Sequence, residues 1–367
     1  MKIIFWMVGT YAVFTIYRIL TQFHLLDFGI YYQAVQDIQK GVSMYANPAM
    51  KYPMSAILIL WPIGWMPYVI AEKVWTLVSL TFLTLSLQMI RRLIPSLDKR
   101  SWALIIAAII MAFPYKFTLG LGQINLFILA CFTGSLYAYL RSYDILAGML
   151  IAGAAWLKIT PLVLLLFFLR KRAYKTIVVC VVTYLLGWVA AGQLWGWEKV
   201  IEFFRDVVPS ISTIGNAVYY NQAFTGVLAR IGMVGPMVGI LNYLVFGGML
   251  VMSYRATSEK REEAEREIMC FGLFVTSMIL GAGLAWQHYF VWLIIPFVGV
   301  YAASLKKDNV RSWGWRILFM YLLIALNIKN PSAWVGWMSL GLSHVTVGAL
   351  GLWYLCLKAC NSLRITA

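Results

Sequence analysis

Charge is scarce in this chain of 367 residues: only 12% of it is Asp, Glu, Lys or Arg. A soluble domain carries about a quarter charged residues, so two or three water-exposed domains are excluded by composition. Acids are rarer than bases, fourteen against thirty, and histidines number three. No acidic pair with metal-like spacing adjoins Asp27, so neither a metal site nor another cofactor is expected. Cysteines number five, and Cys131, Cys180, Cys270 and Cys356 lie inside apolar runs, with Cys360 in the tail. That placement gives no disulfide framework and no zinc pattern. Also missing is any inverted repeat of the kind that marks many transporters.

What the chain has instead is apolar length. It is 62% hydrophobic with a mean hydropathy of +0.79, which places it in a bilayer. The net charge of +16 then reports basic cytoplasmic loops, and no nucleic-acid partner is expected. The first apolar stretch, after Lys2, lacks a small-residue cleavage site before Asp27 and reads as a retained span. Further runs able to cross about 30 Å of hydrocarbon lie near residues 70–90, 101–116, 122–140, 176–195, 234–254, 268–286, 288–305, 315–328 and 337–357.

Residues 145–169 decide the topology. As one helix they would place Arg141 and the cluster Arg170, Lys171, Arg172 and Lys175 on opposite sides. A break at Lys158-Ile159-Thr160-Pro161 removes the conflict, because Pro161 cannot continue a helical ladder and disfavours helix at Thr160. With the break, about 20 of the 30 Lys and Arg become cytoplasmic; without it only about 10 do. Each half is too short to cross, so Lys158 sits at the apex of a short-helix hairpin, either snorkelling to the interface or held by an anionic partner. The predicted fold class is an all-α polytopic membrane protein of about 12 transmembrane helices with both termini cytoplasmic. It forms a single integral-membrane domain, 1–367, with external loops 22–69 and 196–233. The mixed-charge stretch 255–267 is a cytoplasmic connector, most simply a solvated helix extension.

This topology gathers the polar residues on the outer face. Asp27 follows the first span in an apolar, aromatic setting that would raise a carboxylate's basicity, although it also reads as the N-cap of the next helix. Tyr31, Ala34, Val35 and Ile38 recur at helical spacing and predict an amphipathic helix lying on the membrane, with Asp27 at the edge of its apolar stripe. Gln123 and Asn125 occupy an outer turn, Asn221 and Gln222 end the second external loop, and His288 stands in the turn Trp286-Gln287-His288-Tyr289. Turn chemistry and aromatic-belt anchoring explain each of these alone. Together, a carboxylate with Lys158 and His288 on one face is equipment for deprotonating a hydroxyl while stabilising an anionic leaving group. A through-membrane proton path would show acids in mid-span, and there are almost none.

The ordered set Asp27, Tyr31-Tyr32, Ala34, Gly41, Tyr45, Tyr52-Pro53, Gly122-Gln123-Ile124-Asn125, Lys158-Ile159-Thr160-Pro161, Asn221-Gln222 and Trp286-Gln287-His288 resembles glycosyltransferase family 87 over most of residues 20–305. That family belongs to the GT-C superfamily of polytopic enzymes and includes polyprenol-phosphate-mannose-dependent α-mannosyltransferases. The resemblance implies a GT-C-like fold, Asp27 as the catalytic base of an inverting transfer, and Lys158 and His288 at the donor phosphate and leaving group. Tyr31, Gln123, Asn125, Asn221 and Gln222 are the expected substrate-binding residues. The implied partners are a polyprenyl-phosphate sugar, carrying mannose, a membrane glycolipid or glycan acceptor, and the lipid bilayer. The implied location is the cell membrane with an extracytoplasmic active site. This chain departs from the family pattern at Met54, after Pro53, and at Tyr289, after His288, where the family often has a second proline and a second histidine. A lipid-linked-sugar flippase or secondary transporter is the alternative of similar size and span number.

Overall fold

The computed structural model describes residues 2–22, 24–212, 217–329, 331–333 and 336–362. Among them all regular structure is helical, apart from one isolated antiparallel bridge between Asn221 and Trp286. Five helices are long and apolar enough to cross a membrane: Tyr68–Leu93, Tyr174–Trp195, Pro236–Ala256, Gln287–Ser304 and Met338–Asn361. The pair Lys99–Met111 and Phe113–Leu121, broken at Ala112, makes a sixth if it is one span. The protein is therefore a multi-pass helical membrane protein. The sequence predicts one domain over 1–367; the structure divides into two compact units, 1–89 with 116–162 and 175–211, and 90–115 with 163–174 and 212–367. Each unit is gathered from three separate stretches, so no linker composition marks the division.

The first unit is built around the antiparallel helices Asn125–Leu140 and Asp144–Leu157, which touch closely enough for Ser135 to donate to the Ala147 carbonyl at 2.8 Å. Trp156 Nε1 donates to the Tyr184 carbonyl at 3.2 Å, and Ser55 to the Trp156 carbonyl at 3.0 Å. These contacts fix the end of the Asp144–Leu157 helix. The helical path stops at Lys158, which is extended (φ −147°, ψ 131°), and resumes as a 3-10 turn at Thr160–Leu164 that holds Pro161. The break leaves the Lys158 side chain free to turn away from either helical row.

The apolar stripe of Leu26–Gln39 does not face lipid. Phe28, Tyr31, Ala34, Val35 and Ile38 are buried against the protein's own short segments Met44–Ala46 and Ile57–Trp65. Helical spacing identifies an apolar face but not what covers it, which is why the sequence suggests a membrane surface.

In the second unit the helix Ala264–Leu280 is buried on all sides from Arg266 onward and packs on Ile294–Ser304 and His344–Ser362. The connector that precedes it is not a helix extension: it is irregular between Ala256 and Ala264, exposed at Glu259, Lys260, Arg261 and Glu263, and tied down by ion pairs. Lys171 donates to Glu267 Oε1 at 2.5 Å and to the Lys260 carbonyl at 2.8 Å, and both charged side chains are wholly enclosed. Arg266 pairs with Glu262 at 2.6 Å, while Arg170 and Arg172 grip Glu259 at 2.9 and 2.7 Å. Mixed charge in sequence is the same for a solvated helix and for a folded ion-pair latch, and only the tertiary structure separates them.

Candidate active site

The helix Leu26–Gln39 begins without a cap of its own: Leu25 occupies the N-cap position with extended backbone and an apolar side chain. Its amide instead donates to Glu72 Oε1, a buried carboxylate in the first turns of Tyr68–Leu93 that also receives the Tyr68 hydroxyl at 3.4 Å. Asp27 is thus the second helical residue and not the N-cap, which leaves its carboxylate available for other contacts while the helix N-terminus favours its charge.

The turn that meets Asp27 is shaped by Gly122. The helix Phe113–Leu121 ends with Gln123 N–H donating to the Thr118 carbonyl at 2.9 Å and Gly122 N–H to Leu119 at 3.1 Å, with Gly122 at φ +72°. This is the left-handed helix ending that glycine serves best. Contact reinforces it, because a Cβ on Gly122 would stand 2.7 Å from Phe28 Cβ and 2.8 Å from Leu25 Cβ. Trp75 Nε1 donates to the Gly122 carbonyl at 2.7 Å and clamps the turn from Tyr68–Leu93. The side chain of Gln123 therefore arrives directly over the start of the Asp27 helix.

Gln123 is the hub. Its Nε2 donates to Asp27 Oδ2 at 2.5 Å, and its Oε1 lies 3.0 and 3.1 Å from the hydroxyls of Tyr31 and Tyr52. The two phenols are 2.6 Å apart, so one hydroxyl hydrogen bridges the phenols and the other reaches the amide oxygen. That arrangement makes the amide nitrogen the donor to Asp27. Lys158 Nζ donates to Asn125 Oδ1 at 3.0 Å and lies over the Tyr52 ring, 5.5 Å from its centroid. Burial pushes the Asp27 pKa above 3.8, while the Gln123 hydrogen bond and the charge of Lys158 pull it back. The result is a carboxylate more basic than usual, partly exposed, near the buried Lys158 side chain.

Five of the eight residues expected from sequence thus form one constellation in the first unit: Asp27, Tyr31, Gln123, Asn125 and Lys158. The other three lie in the second unit. Asn221 pairs with Trp286 through the antiparallel bridge, Gln222 N–H donates to the Ala285 carbonyl at 2.8 Å, and Tyr220 stacks on Trp286 at 6.1 Å. Gln222 is saturated by the chain itself, donating to the Tyr219 and Leu342 carbonyls at 2.6 Å each and accepting from Thr346. Asn221 Oδ1 accepts from the Ala223 and Ala285 amides at 3.2 Å. Both side chains serve as staples that hold the loop carrying His288. His288 itself is buried, its ring edge-on to Tyr289 at 4.8 Å.

Residues 51–282, more than half of the chain, match glycosyltransferase family 87. The chain belongs to that family. This glycosyltransferase is 23% identical over 341 residues to the polyprenol-phosphate-mannose-dependent alpha-(1-2)-phosphatidylinositol mannoside mannosyltransferase of Mycolicibacterium smegmatis, covering 83% of this chain and 75% of that one. It is also 23% identical to polyprenol-phosphate-mannose-dependent alpha-(1-2)-phosphatidylinositol pentamannoside mannosyltransferases of Mycolicibacterium smegmatis and Mycobacterium tuberculosis, each over 82% of this chain and 75% and 72% of theirs. No solved structure matches the glycosyltransferase.

Two residues of the site carry no role in the sequence reading. Tyr52 belongs to the ordered set but stands in an irregular loop, where spacing cannot show that it touches both Gln123 and Lys158. Glu72 lies inside the predicted run 70–90 without a reading of its own, yet an ionisable group one turn inside an apolar helix is a functional signal in its own right. Gly122→Ala tests the geometry. The positive φ and the 2.7 Å overlap with Phe28 should cost the glycosyltransferase about 1–3 kcal/mol. Because the displaced group is the Gln123 turn, transfer at low temperature should fall further than the loss of folded protein read from a melting curve explains. Equal losses of both would show that the turn supports the fold alone.

Proposed function

We propose that this glycosyltransferase moves a mannosyl group from a polyprenyl-phosphate carrier to a hydroxyl of a membrane glycolipid or glycan on the extracytoplasmic face. The names of its relatives supply the donor class, and one observation carries the chemistry: a desolvated carboxylate held by Gln123 near the Lys158 amino group. In the proposed step the acceptor oxygen bonds to the anomeric carbon as the bond from that carbon to the phosphate oxygen breaks. The acceptor proton passes to Asp27, and the carrier leaves as polyprenyl phosphate, with inversion at the anomeric carbon. Lys158 and His288 offset the charge growing on the phosphate, a role assigned to these side chains without a metal ion. Tyr31 and Asn125 help hold the substrate through the same network, while Asn221 and Gln222 act by shaping the His288 loop. Membership of a glycosyltransferase family supports this over flippase or transporter activity.

The accompanying topology has about 12 crossings in a GT-C-like arrangement, with both termini and the basic clusters at 91–100, 170–175 and 306–316 cytoplasmic. Among the shorter apolar helices, Asn125–Leu140, Asp144–Leu157 and Thr160–Arg170, the last two form the hairpin whose halves enter the membrane without crossing it fully. At 1.5 Å per residue the 14-residue Asp144–Leu157 reaches only about 21 Å, which keeps Lys158 at membrane depth, where a lipid-bound phosphate would lie.

The test is transfer by purified protein from radiolabelled polyprenyl-phosphate mannose to a membrane-lipid extract, with and without chelator. A labelled, chelator-resistant glycolipid is expected, and Lys158→Gln should lower the rate by about 10²- to 10³-fold. No labelled product from wild-type protein, or equal rates for Lys158→Gln, would defeat the proposal.

A further inference from the structure

The second unit contains a buried cation that the transfer step does not use. Arg230 ends the helix Phe224–Arg230 and is only 9% exposed. Its Nε donates to Ser343 Oγ at 2.9 Å, and its Nη1 to the Asn221 and Val218 carbonyls at 2.9 and 3.2 Å. Nη2 is enclosed and has no hydrogen-bond partner among the described residues. All these partners are neutral. The described residues around it, 217–235, 281–293, 326–329, 331–333 and 336–343, include no Asp or Glu. The ionisable neighbours are Tyr219 and His344, and burial lowers the Arg230 pKa only to about 10, so the guanidinium remains charged at neutral pH.

A buried, uncompensated charge is costly and calls for an anion. Space for one exists beside it: a cavity of about 430 Å³ whose wall includes Arg230, Tyr219, Tyr220, Ser332 and Ser339. The cavity is far larger than an ion needs and suits an anionic group attached to something bulkier. Guanidinium geometry matches the oxygens of a phosphate, and hydroxyls complete such a site.

We propose that the Arg230 cavity is a second ligand site that binds a phosphate group. The site as such stands apart from the transfer chemistry; that the phosphate is a lipid's rests on the proposed function. The same backbone that Arg230 holds, at Asn221, continues into the bridge to Trp286, so an occupied site would brace the His288 loop.

Purified full-length protein in a non-ionic detergent would be titrated with radiolabelled inorganic phosphate, polyprenyl phosphate and phosphatidylinositol in separate arms. At least one should bind, and Arg230→Gln should weaken it by about tenfold or more. Binding confined to the two lipids identifies a lipid source, and equal binding of inorganic phosphate a free one. Because Arg230 also supports the loop, Ala229→Phe, which fills the cavity and leaves the arginine, provides the second variant and should weaken the same ligand. No binding by wild type in any arm, or unchanged binding in a folded Arg230→Gln or Ala229→Phe protein, overturns the proposal. Were an Asp27→Asn chain to transfer mannose normally, the transfer mechanism would fall and the phosphate site would stand.

Discussion

Asp27→Asn is expected to lower mannosyl transfer by about 10² to 10⁴ while leaving the protein as stable as wild type, or more so. The rate follows from the proposed role, since an amide cannot take the acceptor proton. The stability follows from the electrostatics. Burial is the largest influence on this carboxyl and raises its pKa above 3.8 in the folded protein. For an acid whose folded pKa is raised, the folded state binds the proton more tightly than the unfolded chain. Stability is then lost as pH rises from the ordinary value through the raised one, so at neutral pH the ionised carboxylate is a cost that Asn removes. Asn also preserves the contact with Gln123, because its carbonyl can accept from Nε2. A purely structural Asp27 would behave the opposite way, with activity and melting temperature falling together. In wild type the transfer rate should decline on the acid side through a pKa above that of a free aspartate, and that limb should vanish in the residual activity of Asp27→Asn. Transfer assays paired with melting curves on both proteins, across acid to neutral pH, check all of this.

How much of this arrangement is legible in the sequence depends on the range of the cause. The stop at Lys158 is local: Pro161 removes a donor and restricts Thr160 whatever surrounds them. The placement of Asp27 as second residue of its helix is not local, because the cap is Glu72, 47 residues away from the Leu25 amide. Without that partner in view, an Asp before an apolar run reads equally well as an N-cap. Tyr52 escapes for the same reason: its contacts with Tyr31, Gln123 and Lys158 join an irregular loop to three separate elements. Gly122 is intermediate. Its sequence context suggests a turn, but the reason a side chain is unwelcome is the closeness of Leu25 and Phe28. The stripe on Leu26–Gln39 and the charges at 255–267 share a limit of another kind. Periodicity and charge pattern describe a surface, and the same surface can meet lipid, water or protein.

The second large effect belongs to those charges. Glu267→Gln alone should destabilise the protein by about 3–5 kcal/mol, because it leaves the Lys171 ammonium enclosed with no opposing charge. The isosteric amide can still accept from the Glu262 amide, which now donates to Glu267 Oε1 at 2.8 Å, so the loss isolates the charge from the hydrogen bond. Lys171→Met should cost a similar amount by stranding the carboxylate. Combining the two removes both buried charges together, and most of the loss should be recovered, since a buried pair returns little more than its own desolvation. Thermal or denaturant melting of the four proteins in detergent reads the cycle directly. Strict additivity of the single losses would mean that water reaches the pair, and the latch would then be an ordinary surface ion pair worth at most about 1 kcal/mol. The site residues Asp27, Gln123 and Lys158 lie in the other compact unit, so the double variant is expected to keep its transfer rate at temperatures where it is folded. Stability at the basic-cluster end and chemistry at Asp27 would then be separable properties of one chain.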